Sequence, residues 1–571
     1  MIPLQSSLVA CTALLLGAYY TRYLPSGRIW DTSTSVDDVE RFSCRPFLPA
    51  LFVDTPPGED HPLLKSAAKG LDKYLENRFA RGDIDSMSIA VLTSKGAIYE
   101  RNFGVMRGNE TDSKPTTSHS TYRLASVAKL FPVLESLILR QKGILTWEDP
   151  VDKYIPEFKP RLDGFDPTKP VTPNDKAGIT IAQLASHMSG LGRDWPSGTV
   201  KNWPQSLEGG GPPPTNGLPF PSHESLFKAI KDTRLVSPPQ AYPVYSNTGT
   251  GLLGLTIVAA NRAAKGNNEP KTYADLVERD IFKPLHMNDT HHLSTEKNKH
   301  MVVVPSMAPE IADQDFLDAM NPAAGQFSSL SDMVSFTQTL LNPRHPRSVL
   351  TRESLDLWLQ PVHSFEEDDW TELGYIWEIV KAADANGRLR KIYMKLGAMG
   401  GFQTAVALHP GTGYGVVVLL AGKQPDATEV TYDIFGIYQA AIDGVLAEYS
   451  TTLYVGEWKS ADGKSNVTIS LEKGTLYVES FTLLETNVLQ MLFSPGRLAL
   501  RDTRRRDEFR LDTGFPGHNG QKYISCYAYW NGQDLWGLRN GAPINLIYFS
   551  GSETDRTLHV PSVDVVMKRA K

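Results

Sequence analysis

The stretch Y-R-L-A-S-V-A-K-L-F-P-V-L-E-S-L-I, from Tyr122 to Ile138, constrains this chain more than any other. It sets Ser126 and Lys129 one helical turn apart at the head of an apolar run that continues to Leu139. Residues i and i+3 of a helix share a face, so the amine at position 129 reaches back to the hydroxyl at position 126. A serine hydroxyl is a poor nucleophile until a neighbouring base takes its proton. Lysine is such a base once a low-dielectric or cationic setting lowers its pKa. A helix that begins at the serine adds unpaired N–H groups, which favour developing negative charge there. The spacing alone is cheap, because it recurs at Ser66/Lys69, Ser225/Lys228, Ser294/Lys297 and Ser470/Lys473. At those positions a solvated lysine beside a chance serine is the plain reading, and only context distinguishes Ser126.

At 571 residues the chain exceeds the ~250 to 300 at which single cores stop growing, so more than one domain is expected. Lys and Arg number 58 against 64 Asp and Glu, a formal charge of −6 with no basic stripe, which argues against a nucleic-acid or polyanion partner. Leu8 to Tyr20 is apolar and uncharged, and is followed by Arg22. That segment is shorter than the ~20 residues a spanning helix needs. Residues 1–20 are therefore read as a secretory signal peptide, with an uncleaved signal anchor as the alternative. The expected location is secreted or in the secretory pathway, and membrane-anchored only if the segment is retained. Of three cysteines, Cys11 lies inside the apolar segment, which leaves Cys44 and Cys526. These two are either a disulfide tying the N-terminal arm to the C-terminal region or two unrelated buried thiols. Asn109, Asn288 and Asn466 head N-glycosylation triplets that matter only if the chain enters that pathway.

Taken in order, an irregular arm over 21–61 leads to a helix over Leu63–Phe79, closed by Gly82. A hairpin follows, Ile89–Leu92 and Ala97–Phe103, turning at Ser94-Lys95-Gly96. Thr180 caps a short helix ended by Gly190, and His187 on it is read as a packed, hydrogen-bonded residue and not a catalytic partner. Residues 192–243 are rich in Pro and Gly, and a loop of that length is expected to wall the site at the cleft entrance. A helix over Gly249–Ala260 follows it. After Ala323 a glycine turn leads into a helix that Ser331 caps. Glu372–Val380, Arg388–Tyr393, Phe402–Leu408 and Gly415–Leu420 read as strands, with Lys395–Gly401 as a glycine-rich link. Tyr432–Leu446 is a closing helix. Beyond Tyr454 short alternating segments predict a separate β domain, sandwich or small barrel. The domains are thus 62–448 and 449–571.

Three distant segments carry the chemistry: Ser126/Lys129, Tyr245-Ser246-Asn247 and Lys395-Leu396-Gly397. Flanked by Gly143-Ile144-Leu145, Asp149-Pro150-Val151, Tyr154–Phe158 and Gly401-Phe402, they resemble the serine β-lactamase, penicillin-binding protein and esterase superfamily, nearest its class C β-lactamase-like branch and similar to secreted fungal β-lactamase-like proteins. The resemblance implies an α+β fold, an antiparallel sheet flanked by helices with a helical insertion, followed by an all-β, lipocalin-like domain suggested by Tyr454–Trp458. It implies Ser126 as the acylated nucleophile, Lys129 as its base, and Tyr245 as the relay to the leaving group, its pKa lowered by two ammonium groups. Asn247 would bond Lys129 or the substrate, Lys395 beside Gly397 would supply positive charge, and the N–H groups of Ser126 and Ala398 would form the oxyanion hole.

One departure is Leu396, which stands where β-lactamases and transpeptidases carry a small hydroxyl residue, so a substrate carboxylate would lose a hydrogen bond there. The expected function is a serine hydrolase acting through an acyl-enzyme on a small-molecule ester, lactone or amide, an esterase first. The alternatives are a β-lactamase or D-aminopeptidase/carboxypeptidase-like amidase, an acyltransferase on a secondary metabolite, and a non-catalytic binding protein. No cofactor or metal is expected. No Gly-x-Ser-x-Gly elbow is present, and Asp289, His291, His292 and His300 read as a solvated loop.

Overall fold

The computed structural model describes residues 44–169, 178–214, 216–423, 425–492, 496–512, 526–534 and 536–570. The apolar segment over 1–20 and the first part of the arm lie outside the described residues. Among the described residues no helix is long and apolar enough to cross a membrane.

Strands β1 (Ile84–Thr93), β2 (Gly96–Gly104), β3 (Pro361–Ser364), β4 (Thr371–Gly374), β5 (Glu378–Ala383), β6 (Leu389–Met399), β7 (Phe402–His409) and β8 (Tyr414–Gly422) form one antiparallel sheet in the order β2-β1-β8-β7-β6-β5-β4-β3. Its central strands are apolar without alternation because both faces are covered. Ala90, Leu92, Val406, Leu408, Val417 and Leu419 face a large helical insertion. Ile89, Val91, Ala405, Ala407, Val416, Val418 and Leu420 face a layer of two helices. The glycine-rich link read at Lys395–Gly401 is corrected: β6 runs through to Met399, and only Gly400-Gly401 make the turn.

In chain order the helices that position the site are α1 (Pro62–Phe79), α2 (Leu130–Gln141), α3 (Asn247–Lys265), α4 (Leu317–Ala324), α5 (Leu330–Leu341) and α6 (Ala427–Tyr454). α1 and α6 form the outer layer, while α2 to α5 belong to the insertion. The cap of α5 is Ser329, two residues earlier than Ser331, because the short ladder of Phe327–Ser329 with Thr121–Arg123 ends there and the hydroxyl of its last residue accepts from the N–H of Asp332. The proline-rich stretch 192–243 is not all loop, since His223–Asp232 is a helix capped by Ser222.

α6 runs past the expected Leu446 to Tyr454, whose buried ring packs on Phe509 and Phe549 inside the C-terminal domain. There Gly456–Ser460, Asn466–Glu472, Thr475–Leu483, Leu498–Asp502, Glu508–Leu511, Leu546–Ser550, Thr557–Val560 and Val565–Arg569 pair each with the next, and the last pairs back to the first. Closure leaves a barrel, not a sandwich. Trp458, Val467, Phe481, Phe509, Phe549 and Leu558 fill it. Cys44 and Cys526 form a disulfide with a Cα–Cα distance of 4.8 Å. Beside it Phe47 lies under the Arg390 guanidinium, and the Pro46 carbonyl accepts from Thr475 Oγ1 at 2.8 Å and from Arg388 Nη1 at 3.2 Å. The arm thus staples barrel to sheet.

Glu135 in α2 is completely buried. Burial first, and the charge of Asp280 second, hold its carboxyl well above the ordinary range. A carboxyl whose folded pKa is raised is harmless below its unfolded pKa and subtracts up to about 1.4 kcal/mol of stability per pH unit above it. Glu135→Gln is therefore expected to leave the melting temperature unchanged at about pH 4 and to raise it progressively from about pH 5 to 8. Calorimetry across that range checks it, and a pH-independent difference would contradict it.

Candidate active site

The nucleophile sits in a turn that the rest of the insertion grips. Residues 121–125 and 127–135 are buried, and Ser126 alone among them reaches solvent. The Tyr122 hydroxyl is hydrogen-bonded with Ser86 Oγ at 2.6 Å. Arg123 is fully buried, stacks 3.9 Å from the Phe327 ring, and donates to the carbonyls of Gly325 at 2.8 Å, Ile311 at 3.1 Å and Gln314. Burial brings its pKa down to about 9, and among the described residues the charge is held by carbonyl dipoles with no carboxylate in hydrogen-bond reach. Ala125 adopts φ 48°, a left-handed conformation costly for a residue with a Cβ and typical of sites where the surroundings over-determine the backbone. The expected α-helix starting at Ser126 is corrected: Ala125–Lys129 is a tighter 3-10 turn, and the α-helix begins at Leu130.

Lys129 is fully buried. Its Nζ donates to Ser126 Oγ at 2.9 Å and to the Ala323 carbonyl at 2.7 Å. α4 delivers that carbonyl because it lies unusually close to α3. A Cβ at Gly251 would stand 2.2 Å from the Ala319 oxygen, and one at Gly254 would stand 2.1 Å from Pro322 Cγ. Burial, helped by the Lys395 charge, lowers the pKa of Lys129. An amine that titrates early is one able to take a proton.

Tyr245 precedes the cap of α3, Ser246, whose Oγ accepts from the Gly249 N–H at 2.7 Å. Its hydroxyl donates to Ser126 Oγ at 2.7 Å. Burial alone would raise its pKa, but the charges of Lys129 and then Lys395 outweigh this and bring it to about 8. His187 is a positioning residue: its ring packs 4.5 Å from that of Tyr245, its Nδ1 accepts from the Ser246 N–H at 3.1 Å, and burial and the nearby cations keep it neutral. Asn247 does not reach Lys129. Its Nδ2 donates to Asp194 Oδ1 at 2.6 Å, while its buried Oδ1 has no hydrogen-bond partner among the described residues. Of the stretch 192–243, the part that meets the site is its start: Arg193 Cζ lies 4.7 Å from the Tyr245 ring centroid, and Gly192 accepts from Ser246 Oγ at 2.8 Å. The Gly-Pro tip folds instead onto Gly198, whose N–H bonds the Gly211 carbonyl at 3.3 Å.

β6 forms the opposite wall. Lys395 and Gly397 face the nucleophile, and a Cβ at Gly397 would stand 2.3 Å from the Leu124 oxygen and 3.1 Å from Ser126 N. Thr404 of β7 locks the same place, donating to the Leu124 carbonyl at 2.7 Å. Ala398 is exposed at the strand's open end. The reading of Leu396 is corrected: strand alternation turns its side chain to the opposite face, into the layer of α1 and α6, so an alkyl group does not confront the substrate. Lys395 is not a free charge either. Its Nζ donates to Glu378 Oε1 at 2.5 Å and to the Leu396 carbonyl at 2.8 Å, and the Leu396 N–H donates to Glu378 Oε2 at 2.9 Å. Glu378, Arg193 and Asp194 were not signalled by the sequence, because a lone acid in a short strand and an Arg-Asp pair in a loop carry no pattern.

The histidines read as a solvated loop are corrected in part: His292 is buried against Phe282, and His291 stacks 4.9 Å from Phe327. Among the glycosylation triplets Asn109 and Asn288 are exposed, and Asn466 is half-buried in the barrel's second strand.

A serine and lysine on a short turn and a tyrosine before a helix, set in this arrangement against one strand of an antiparallel sheet, define a serine acyl-transfer site of β-lactamase type. The β-lactamase family model matches residues 71–439, and the chain belongs to that family. It is a β-lactamase-family serine hydrolase. It is 34% identical over 313 residues to the β-lactamase-like protein str6 of Strobilurus tenacellus, covering 53% of this chain and 99% of that one. The str5 protein of the same fungus is 42% identical over 227 residues, covering 39% of this chain and 81% of its own length. The octameric penicillin-binding protein homologue from Pyrococcus abyssi shares the fold at a TM-score of 0.51 and 16% identity, covering 88% of this chain and 99% of that chain. A class C β-lactamase does so at 0.50 and 16% over 66% of this chain and 98% of its own.

Because the strand lies against the nucleophile turn at Gly397, Gly397→Ala is expected to slow fluorophosphonate labelling of Ser126 by about 100-fold while the protein stays folded by circular dichroism. Unaltered labelling would show that the turn tolerates the added methyl.

Proposed function

We propose that this protein is a serine esterase, hydrolysing neutral small-molecule esters or lactones through an acyl-enzyme on Ser126. The observation that carries the reading is that Ser126 Oγ is held at once by Lys129 Nζ at 2.9 Å and Tyr245 OH at 2.7 Å, two groups whose pKa values both lie below their ordinary ones. In acylation Ser126 Oγ bonds to the ester carbonyl carbon and its proton passes to neutral Lys129. The oxyanion rests against the N–H groups of Ser126 and Ala398. As the tetrahedral adduct collapses, the alkoxide leaves with a proton relayed through Tyr245. Water then repeats the sequence on the acyl-enzyme with the same groups returning protons. Secretion, supported by the Cys44–Cys526 disulfide, belongs to the same proposal.

Intact mass after mixing with a p-nitrophenyl ester is expected to show one acyl adduct, absent in Ser126→Ala; an adduct that survives that substitution would overturn the assignment. The relative rates settle the substrate class, since nitrocefin turnover far above p-nitrophenyl ester turnover would favour a β-lactamase, and inactivity toward both an acyltransferase or binding role.

The base must be deprotonated to act. kcat/KM is therefore expected to fall as the pH drops through the lowered pKa of Lys129, with a second contribution near about 8 from Tyr245, through which the proton is relayed. Tyr245→Phe is expected to lower kcat by about 100- to 10,000-fold. A pH-rate profile on both proteins reads this, and an unshifted limb in the variant would assign the titration to Lys129.

A further inference from the structure

Lys395 is a second buried cation beside the reacting groups, with Nζ 5.2 Å from the Tyr245 ring centroid. An ammonium there is the natural partner for a carboxylate on a bound acyl group. It is already engaged. β5 begins at Glu378, paired with Met394, so beyond that residue β6 has no neighbouring strand on this side and the Leu396 N–H has no ladder acceptor. The Glu378 side chain takes up both vacancies, one oxygen on Lys395 Nζ at 2.5 Å and the other on the Leu396 N–H at 2.9 Å. A second N–H of Lys395 is given to the Leu396 carbonyl at 2.8 Å, and the third lies toward the Tyr245 hydroxyl. Lys395 is 1% exposed and Glu378 32%, so the ammonium is closed off while its counter-ion borders solvent.

We propose that Glu378 is the resident counter-ion of Lys395 and a specificity-determining residue, filling the place a substrate carboxylate would need and so restricting the site to neutral acyl groups. This rests on the acyl-enzyme reading above and deepens it. A carboxylate entering the cleft would meet Lys395 already neutralised and would lie beside a second negative charge, with like charges close together in a half-buried setting. The other charged groups around Tyr245 do not replace the missing partner. Lys129 is committed to Ser126 and Ala323, and Asp194 is an acid. Arg193 is 68% exposed and stands at the mouth, where water competes for it. The side chain at Leu396, turned away from the cleft, has no part in this discrimination. Glu378 also acts on Tyr245, since its charge opposes the lowering of that phenol by the two lysines.

Two fluorophosphonates test it, one with a neutral alkyl tail and one of equal length ending in a carboxylate. Labelling of Ser126, followed by intact mass, needs no turnover, so the result stands whether or not ester hydrolysis is found. The wild type is expected to take the neutral probe at least 10-fold faster, and Glu378→Gln to raise the carboxylate-to-neutral rate ratio at least 10-fold, the inverse of the exclusion. Glu378→Asp, which keeps the charge, is expected to retain most of the wild-type discrimination, and serves if the glutamine variant folds poorly. The acid limb of neutral-probe labelling is expected to move to lower pH in Glu378→Gln, a shift that a purely structural role would not cause. Equal labelling by both probes in the wild type, with the carboxylate seated at Arg193, would overturn the proposal, as would an unchanged ratio in Glu378→Gln. Absence of ester turnover with the ratio shift intact would remove the esterase reading alone.

Discussion

Burying an amine without solvent is the requirement on which the rest of this structure depends. Lys129 has no exposed surface, and an ammonium or amine in that state must find acceptors or destabilise the fold. Its acceptors come from different parts of the chain: Ser126 from its own turn and Ala323 from α4, while the face of Tyr245 lies 5.1 Å away. To bring Ala323 in, α4 must lie against α3 closer than side chains allow, which is why Gly251 and Gly254 stand one turn apart on the facing side. To keep Ser126 in reach, the turn must accept a left-handed alanine, and Arg123, Gly397 and Thr404 brace it there. Packing and chemistry share one set of contacts.

The electrostatics follow from that burial. Lys129, Lys395 and Arg193 surround one phenol, and neither lysine can be hydrated, so their fields act on Tyr245 at low dielectric and overcome its own desolvation. Left alone, such a group of cations would suppress the charge on each other. Glu378 balances it from the first residue of β5, raising the Lys395 pKa, while Lys129, with no carboxylate in hydrogen-bond reach among the described residues, is lowered. Two lysines a few ångströms from the same tyrosine are thereby set to different tasks, one able to give up its proton and the other fixed as an ammonium.

Much of this was legible in the sequence because the chemistry needs particular residues at particular spacings. Ser126 and Lys129 at i and i+3, and Tyr245 just before a helix cap, are local patterns, and the structure brings them within hydrogen-bond distance of one another. The C-terminal β domain was visible as short alternating segments after Tyr454, since a packed interior imposes period two on every strand, but that pattern left sandwich and barrel open and only the pairing of the last strand with the first decides it. What failed were readings that need a face or a neighbour. Lys395–Gly401 looked like a link because its glycines masked the strand, and once taken as a link it gave no alternation to turn Leu396 outward. Of the two partners read for Asn247, Lys129 or the substrate, the first failed because Asp194, which takes its amide, lies in an irregular loop. Glu378 was invisible because its importance arises from where β5 begins against β6, a tertiary fact.

The central sheet is closed between strands from opposite ends of its domain: β1 at Ile84 pairs with β8 at Gly422. The nucleophile turn is likewise gripped by a residue 280 positions further on, and the disulfide joins cysteines separated by 482. Such wiring gives a high contact order and a slow search, but it also governs timing during synthesis. A ribosome that has released only the first half of this chain has exposed Ser126 and Lys129 without the strand that shapes their pocket, and a fragment ending before β6 carries the motif without the enzyme. The pocket is complete only once β6 and β7 have followed the motif, and the staple between arm and barrel closes later still, when Cys526 has been made.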